Sequence, residues 1–258
     1  PVIREVNGKL RMYYCIVIDN LIGTGGWGER AFIGMCESTD PANGKWEDKG
    51  YVVCSSSDKG RDGWKRVNNN WEGYFYYNAI DPTYIVDDPS GKHYLIYGSW
   101  HSGFALLEID PESGKPVNAP LGEPWADNVQ DLTARYGIRV GTRTAGSRWQ
   151  GSEAPEVIYK DGYYYLYFKE DLTQKIAYVK SKNLTGPYNM DYTICSLNWW
   201  GVEGSSMYRI TGTDAYMMIM DEYSEGTFFG QMTRDFENFR QVQRSTYSVN
   251  QLKPRHGS

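Results

Sequence analysis

Apolar and polar side chains alternate with a period of two in four stretches of the chain. "PVIREVNGKLRMYYCIV" begins at Pro1, "DPTYIVDDPSGKHYLIYGSW" at Asp81, "APEVIYKDGYYYLYFKED" at Ala154 and "SSMYRITGTDAYMMIMDEY" at Ser205. That period puts successive side chains on opposite faces, so each stretch reads as a strand, a turn and a second strand. The turns fall at Asn7-Gly8, Ser90-Gly91, Asp161-Gly162 and Thr211-Gly212. Such dipeptides favour tight hairpins whose twist matches that of the flanking strands. A weaker pattern follows each hairpin, in "AFIGMCESTDPANGKW", "GFALLEIDPESGKPV", "KIAYVKSKNLTGPY" and "FFGQMTRDFENFRQV". Each of these is a strand, a polar turn and the start of another strand. A unit therefore supplies about four strands. Four-stranded units that recur with variable insertions predict an all-β chain folded as a β-propeller. An irregular β-sandwich is the alternative.

No helical period of useful length appears, and residues 1–258 are expected to form a single propeller domain. The longest irregular piece runs from Asn118 to Gln150 and carries Trp125, Arg139, Arg143, Arg148 and Trp149. A long loop on a rigid scaffold is a common builder of binding sites.

The first strand of each propeller blade lines the central axis, so residues at the strand entrances converge on one mouth. Asp81, in "AIDPTY", and Glu153, in "SEAPEV", stand at corresponding entrances of two units. Glu203, in "VEGSS", is a third entrance acid, placed to face the axis or assist binding. A proline follows Asp81 directly and Glu153 after one residue. It is expected to hold the residue before it in extended geometry, and it removes a backbone N–H at the entrance. Two acids converging on one rim are the equipment for hydrolysis of a glycosidic bond, which takes an acid and a base.

Composition adds bounds. The 258 residues allow one large domain or two small ones, and 40% hydrophobic with 15% aromatic residues allow a sizeable core. The 22 tyrosines and 9 tryptophans suit a carbohydrate-binding surface and an ordinary all-β core equally. A net charge of −5 without a basic cluster argues against nucleic acid as a partner. No apolar run approaches the roughly 18 residues of a membrane span. Cys15, Cys36, Cys54 and Cys195 form no CxxC pair, which argues against zinc and for buried free thiols. The chain opens at Pro1 without an initiator methionine or signal segment, so its true start is expected upstream.

Three segments together are more specific. "NAIDPTYIVDDPSGKHYLIYGSWHSGFALLEIDPESGKPV", "EAPEVIYKDGYYYLYF" and "VKSKNLTGPY" resemble glycoside hydrolase family 43, and within it the arabinanase-like branch. The likeness is strong over 78–188 and weaker elsewhere. It implies a five-bladed propeller, about four blades of which are represented here. It also implies an inverting, single-displacement hydrolase of arabinose- or xylose-containing plant polysaccharide, arabinan before others. A β-xylosidase and a sugar-binding propeller without catalysis are the alternatives.

By this resemblance Glu153 matches the general acid, and Asp81 the acid that orients the donor and tunes its pKa. The family's general base lies in a "DP" motif of the first blade. No such entrance precedes Asp81, because Asp40-Pro41 reads as a turn between outer strands. The N-terminal blade and the C-terminal closure are therefore expected to lie outside this stretch. Trp100, in "GSWHSG", matches the aromatic of the sugar pocket, with packing within a blade as the equal alternative. Asn78 would bond a sugar hydroxyl or serve a turn. No cofactor is required, but related propellers hold an axial calcium or sodium ion through one histidine and waters. His256 would take that ion and Arg255 the substrate, although the arabinanase histidine enters the last blade, where this chain has "VEGSS". His93, in a hairpin, is expected to be structural. The expected partner is an oligo- or polysaccharide, met by a secreted or periplasmic monomer.

Overall fold

Each predicted hairpin opens a four-stranded antiparallel sheet. The computed structural model describes residues 1–17, 31–55, 77–99, 103–117, 136–141, 152–170, 173–188, 191–197, 201–222 and 227–242. The first sheet is β1 (Val2–Val6), β2 (Lys9–Val17), β3 (Ala31–Asp40) and β4 (Lys45–Cys54). The second is β5 (Thr83–Val86), β6 (His93–Tyr97), β7 (Phe104–Ile109) and β8 (Ile138–Gly141). The third is β9 (Glu153–Lys160), β10 (Tyr163–Glu170), β11 (Lys175–Ser181) and β12 (Thr193–Ile194). The fourth is β13 (Val202–Arg209), β14 (Tyr216–Glu222), β15 (Thr227–Thr233) and β16 (Arg240–Gln241). Strands neighbour one another in chain order within every sheet. The first strands of consecutive sheets, β1, β5, β9 and β13, pack in series. Four blades thus follow one another around an axis, as the repeat predicts.

Local chemistry explains the hairpins. Asn7 and Gly8 have φ of 52° and 74°, and Asp161 and Gly162 have 50° and 85°. Both central residues are left-handed in each turn, which Asn, Asp and Gly accept at least cost. The core lies in three seams between consecutive blades. Tyr13, Ile33 and Met35 of the first sheet meet Tyr84, Leu95 and Tyr97 of the second. Ile96 and Phe104 of the second meet Leu166 and Phe168 of the third. Tyr165 and Tyr167 of the third meet Met218, Met220 and Phe229 of the fourth. Alternation along β10 therefore sends odd and even residues into different seams. Both faces are buried, which is why "YYYLYF" is apolar throughout. Each such side chain taken from water contributes about 1.5–3 kcal/mol.

Two expectations about the outer strands need correction. The piece from Asn118 to Gln150 is not wholly irregular, because it contains β8, with Arg139 opposite Ala105. The "GKPV" that was expected to begin a strand makes only one bridge, Ile109 to Pro116. The third sheet likewise takes Thr193–Ile194 as its last strand, not the residues after "TG". Proline lacks the N–H that a ladder uses, so neither Pro116 nor Pro187 continues a sheet. Asp40-Pro41 behaves as expected: β3 ends at Asp40 and a 3-10 turn, Pro41–Asn43, leads into β4. Among the described residues the cysteines are free, with Cys15 half-buried and the other three buried. No helix among those residues is long and apolar enough to cross a membrane.

Candidate active site

A serine that sequence reasoning did not single out links Asp81 to the backbone beside Glu153. Ser99, just past β6, is buried; its hydroxyl donates to Asp81 Oδ2. The same oxygen accepts the N–H of Ala154, the residue after Glu153, at 3.2 Å. One side chain thus ties the Asp81 carboxylate to the peptide that carries the candidate donor.

The backbone at both entrances departs from the expected extended geometry. Asp81 and Ala154, each directly before a proline, have φ of 52° and 51°. The proline ring disfavours the right-handed helical region for its predecessor, yet tertiary hydrogen bonds here select positive φ over extended backbone. Ser99 holds the N–H of Ala154, and Gly98 N–H bonds the Ile80 carbonyl at 3.0 Å, next to Asp81. Left-handed backbone costs a non-glycine residue about 1–2 kcal/mol. Such strain concentrates where a side chain must be aimed.

Bulges do the aiming on the next two blades. The β9–β10 register slips between Tyr167/Glu156 and Lys169/Glu153, which leaves an extra residue on β9 just after Glu153. The β13–β14 register slips between Glu203/Asp221 and Ser206/Ile219, with the extra residue just after Glu203. Gly204 lies in that second bulge with φ 61°, and an added Cβ would come within 3.2 Å of Asp221 Oδ2. A bulge turns the side chain beside it out of the strand's ordinary alternation.

Both glutamates are thereby brought to one buried lysine. Lys169 Nζ lies 3.3 Å from Glu153 Oε1 and 3.3 Å from Glu203 Oε1. Burial works against the Lys169 ammonium, but Glu153 and Glu203 outweigh it and hold its pKa above the usual lysine value. An ammonium so placed favours the ionised carboxylate, whereas a proton donor has to hold its proton. The signal for Lys169 was its charge directly after the apolar run "YYYLYF" of β10.

A fourth acid sits further along β9. Glu156 is buried, with Arg4 of β1 at 3.8 Å and donors from Thr83 of β5 and Met207 of β13. All four first strands meet there, so this carboxyl lies on the axis. Burial pushes its pKa up to about 7, against the pull of Arg4 and the donated hydrogen bonds. Cys15 of β2 borders the site, its thiol pushed up by burial and by the Asp81 charge.

The remaining candidates divide. Asn78 is buried, and its Oδ1 accepts the Ser55 hydroxyl at 3.0 Å. His93 Nδ1 lies 2.6 Å from the Tyr84 hydroxyl, between packed strands, as a structural histidine would. Trp100, Arg255 and His256 lie outside the described residues. Among the described residues no three His, Cys, Asp or Glu side chains are grouped to hold a metal ion. The axial carboxyl is already faced by the Arg4 guanidinium, so those residues do not by themselves fit an axial cation.

Known proteins resemble this chain. The family described as glycosyl hydrolases family 43 matches residues 1–195, and one described as a probable glycosyl hydrolase domain matches residues 150–258. The extracellular endo-α-(1→5)-L-arabinanase 1 of Bacillus subtilis (strain 168) is 32% identical over 73% of this chain and 47% of its own length. An extracellular exo-α-(1→5)-L-arabinofuranosidase of Cellvibrio japonicus (strain Ueda107) is 29% identical over 68% of this chain and 49% of its own. The chain thus spans about half the length of the curated relatives it matches. A solved Bacillus subtilis arabinanase aligns with a TM-score of 0.61, at 24% identity, over 95% of this chain and 72% of that one. An exo-1,5-α-L-arabinanase from a bovine ruminal metagenomic library aligns at 0.62, with 24% identity, over 93% of this chain and 76% of that one. The structural matches show a shared propeller fold, and the sequence matches show that the chain belongs to glycosyl hydrolases family 43.

Proposed function

We propose that this chain carries the donor half of an inverting glycoside hydrolase active site, with arabinan as its first substrate and arabinoxylan next. The observation that carries the reading is the Ser99 link between Asp81 and the Glu153–Ala154 peptide. It ties the Asp81 carboxylate to the backbone next to Glu153 at the mouth of adjacent blades. Glu153 protonates the leaving oxygen. Asp81 orients it and, as a like charge, favours its protonated form. A further carboxylate, matching the family's general base, activates water on the opposite face of the sugar. Trp100 and Arg255 serve the sugar, with Glu203 beside the donor. An axial calcium or sodium ion would have to rest on His256 and waters, since Arg4 already faces the axial carboxyl. Extracellular action is supported by the Bacillus and Cellvibrio relatives, which are extracellular enzymes by name, and an arabino-oligosaccharide ligand by a similar arabinanase structure complexed with arabinohexaose.

The test is activity of the full-length protein on debranched arabinan, arabinoxylan and aryl glycosides. Glu153→Gln keeps the shape but has no proton to give. On polysaccharide it should lose about 10²–10⁴ in rate, the usual worth of general acid assistance. On an aryl glycoside, whose phenolate departs unaided, the loss should be smaller. Equal loss on both substrates, or activity retained, would reject Glu153 as donor and move the role to Glu203. The Lys169 ammonium favours a second reading, a propeller that binds sugar without cleaving it. That reading predicts saturable binding of arabino-oligosaccharides with no turnover by the wild type.

A further inference from the structure

We infer that Lys169 is a positioning residue for Glu153 and that Glu203 controls how much of its charge Glu153 receives. The inference takes Glu153 as the donor of the proposed function, but its geometry stands apart from that role. Lys169 is 6% exposed and has Phe168 and Glu170 as its chain neighbours. A lysine that far from water persists only when paired. It has two anionic partners at the same 3.3 Å, one on its own blade and one on the next. Each partner stands immediately before a bulge, so two separate backbone irregularities converge on one ammonium. A guanidinium would lock onto one carboxylate through a planar fork. An ammonium is a compact charge with rotatable donors, and it can be shared.

Sharing has a sign. While Glu203 is ionised it draws on the Lys169 ammonium and repels Glu153, and both effects make Glu153 easier to protonate. With Glu203 replaced by a neutral amide, Glu153 would face an undivided cation and stay ionised to lower pH. The other charged and titratable groups around the pair are few among the described residues. Asp81 acts from the β5 entrance through Ser99, with Cys15 of β2 beyond it. Asp221 of β14 stands opposite Glu203 in the ladder. Glu170 of β10 turns its carboxylate to Thr173. Arg4 of β1 faces Glu156 further along β9. Glu222, next to Asp221 on β14, is buried as well.

The experiment is carboxyl ¹³C NMR titration of Glu153 in the full-length protein, with Glu153→Gln to assign the signal. Lys169→Met should raise the Glu153 midpoint by about 1–3 pH units, the usual influence of an adjacent opposite charge. Glu203→Gln should lower it, by about one. Opposite displacements from neighbouring substitutions are not what a merely structural lysine would give. The basic limb of the kcat/KM profile should move in the same two directions. Should Lys169→Met fail to fold, Glu203→Gln tests the sign alone, because it leaves Lys169 paired with Glu153. A midpoint that stays put, or that rises in Glu203→Gln, overturns the inference. Titrations that shift as stated while the rate profile ignores Glu153 would uphold the charge link and reject Glu153 as donor.

Discussion

Two buried cations occupy comparable places and are used differently. Arg11 stands on β2 at the seam of the first and second blades; Lys169 stands on β10 near the seam of the third and fourth. Arg11 Nε and Nη2 lie 3.0 and 2.7 Å from Glu37 Oε1. Nη2 also donates to the carbonyls of Pro111 and Glu112 at 3.0 and 3.3 Å. The turn it grips is held again by Asn7 Nδ2 on Glu112 Oε1 at 2.7 Å, and by Lys115 Nζ on the carbonyls of Lys49, Gly50 and Tyr51. Every partner of Arg11 is a structural group in a fixed position. Lys169 instead divides itself between two strand-entrance carboxylates of different blades. The first arrangement spends a charge on rigidity. The second places a charge within reach of two acids at once.

The largest effect that would break the comparison is on stability. Arg11→Met leaves Glu37 buried without its main partner, and such losses cost about 3–5 kcal/mol. Urea unfolding should show it, with the Glu153 titration unmoved. A shifted Glu153 midpoint would mean that the first seam also speaks to the site.

A smaller effect concerns pH, and the two blade systems have opposite signs. Burial tends to raise the Glu37 pKa, but Arg11 and Lys9 more than offset this and hold it below the usual range. Its contribution is present above the unfolded value and is lost as pH falls through the folded one. Glu156 is the reverse, raised from 4.5 to about 7. The folded state then binds a proton that the unfolded state has released, so stability is full below pH 4.5 and is lost as pH rises through 7. The shift corresponds to on the order of 3 kcal/mol. Glu156→Gln should flatten the stability profile between those pH values. A slope there that survives the substitution would assign it to another group.

Most of the propeller was legible because period-two alternation and Gly-bearing turns are local. The four hairpins follow from residues a few positions apart. The fourth strands of the first and last blades start where "GKW" and "FRQV" pointed, but those of the second and third blades were not legible, since β8 and β12 are short and their pairing is decided by β7 and β11, not by their own residues. Of the site, Glu153, Asp81 and Glu203 could be picked out as acids at strand entrances. What joins them could not. Ser99 is an ordinary serine in "GSW", and only the fold puts it between Asp81 and Ala154. Lys169 offered a charge in an apolar run but no hint of which acids it would meet. Pre-proline stiffness pointed to extended backbone at both entrances, and long-range hydrogen bonds overrode it.

The smallest expected effect sharpens the comparison by removing charge from it. Tyr13 of β2 donates its hydroxyl to the Gly114 carbonyl at 3.0 Å, in the turn after β7. Tyr167 of β10 donates to the Phe236 carbonyl at 2.8 Å, in the turn after β15. Both rings are fully buried, and both reach from the second strand of one blade to the turn after the third strand of the next. The two seams therefore share a neutral fastening even though their cations differ. Tyr13→Phe and Tyr167→Phe each remove a buried hydrogen bond while keeping the ring, at a cost of about 1 kcal/mol. The sites lie in separate seams without a common partner, so the double variant should lose the sum within about 0.5 kcal/mol. Urea midpoints of the two single variants and the double would measure this. A Tyr167→Phe loss several times that of Tyr13→Phe would show that the third seam leans on this fastening to hold the Lys169 carboxylates in place. Equal losses would leave the difference between the seams to Arg11 and Lys169 alone.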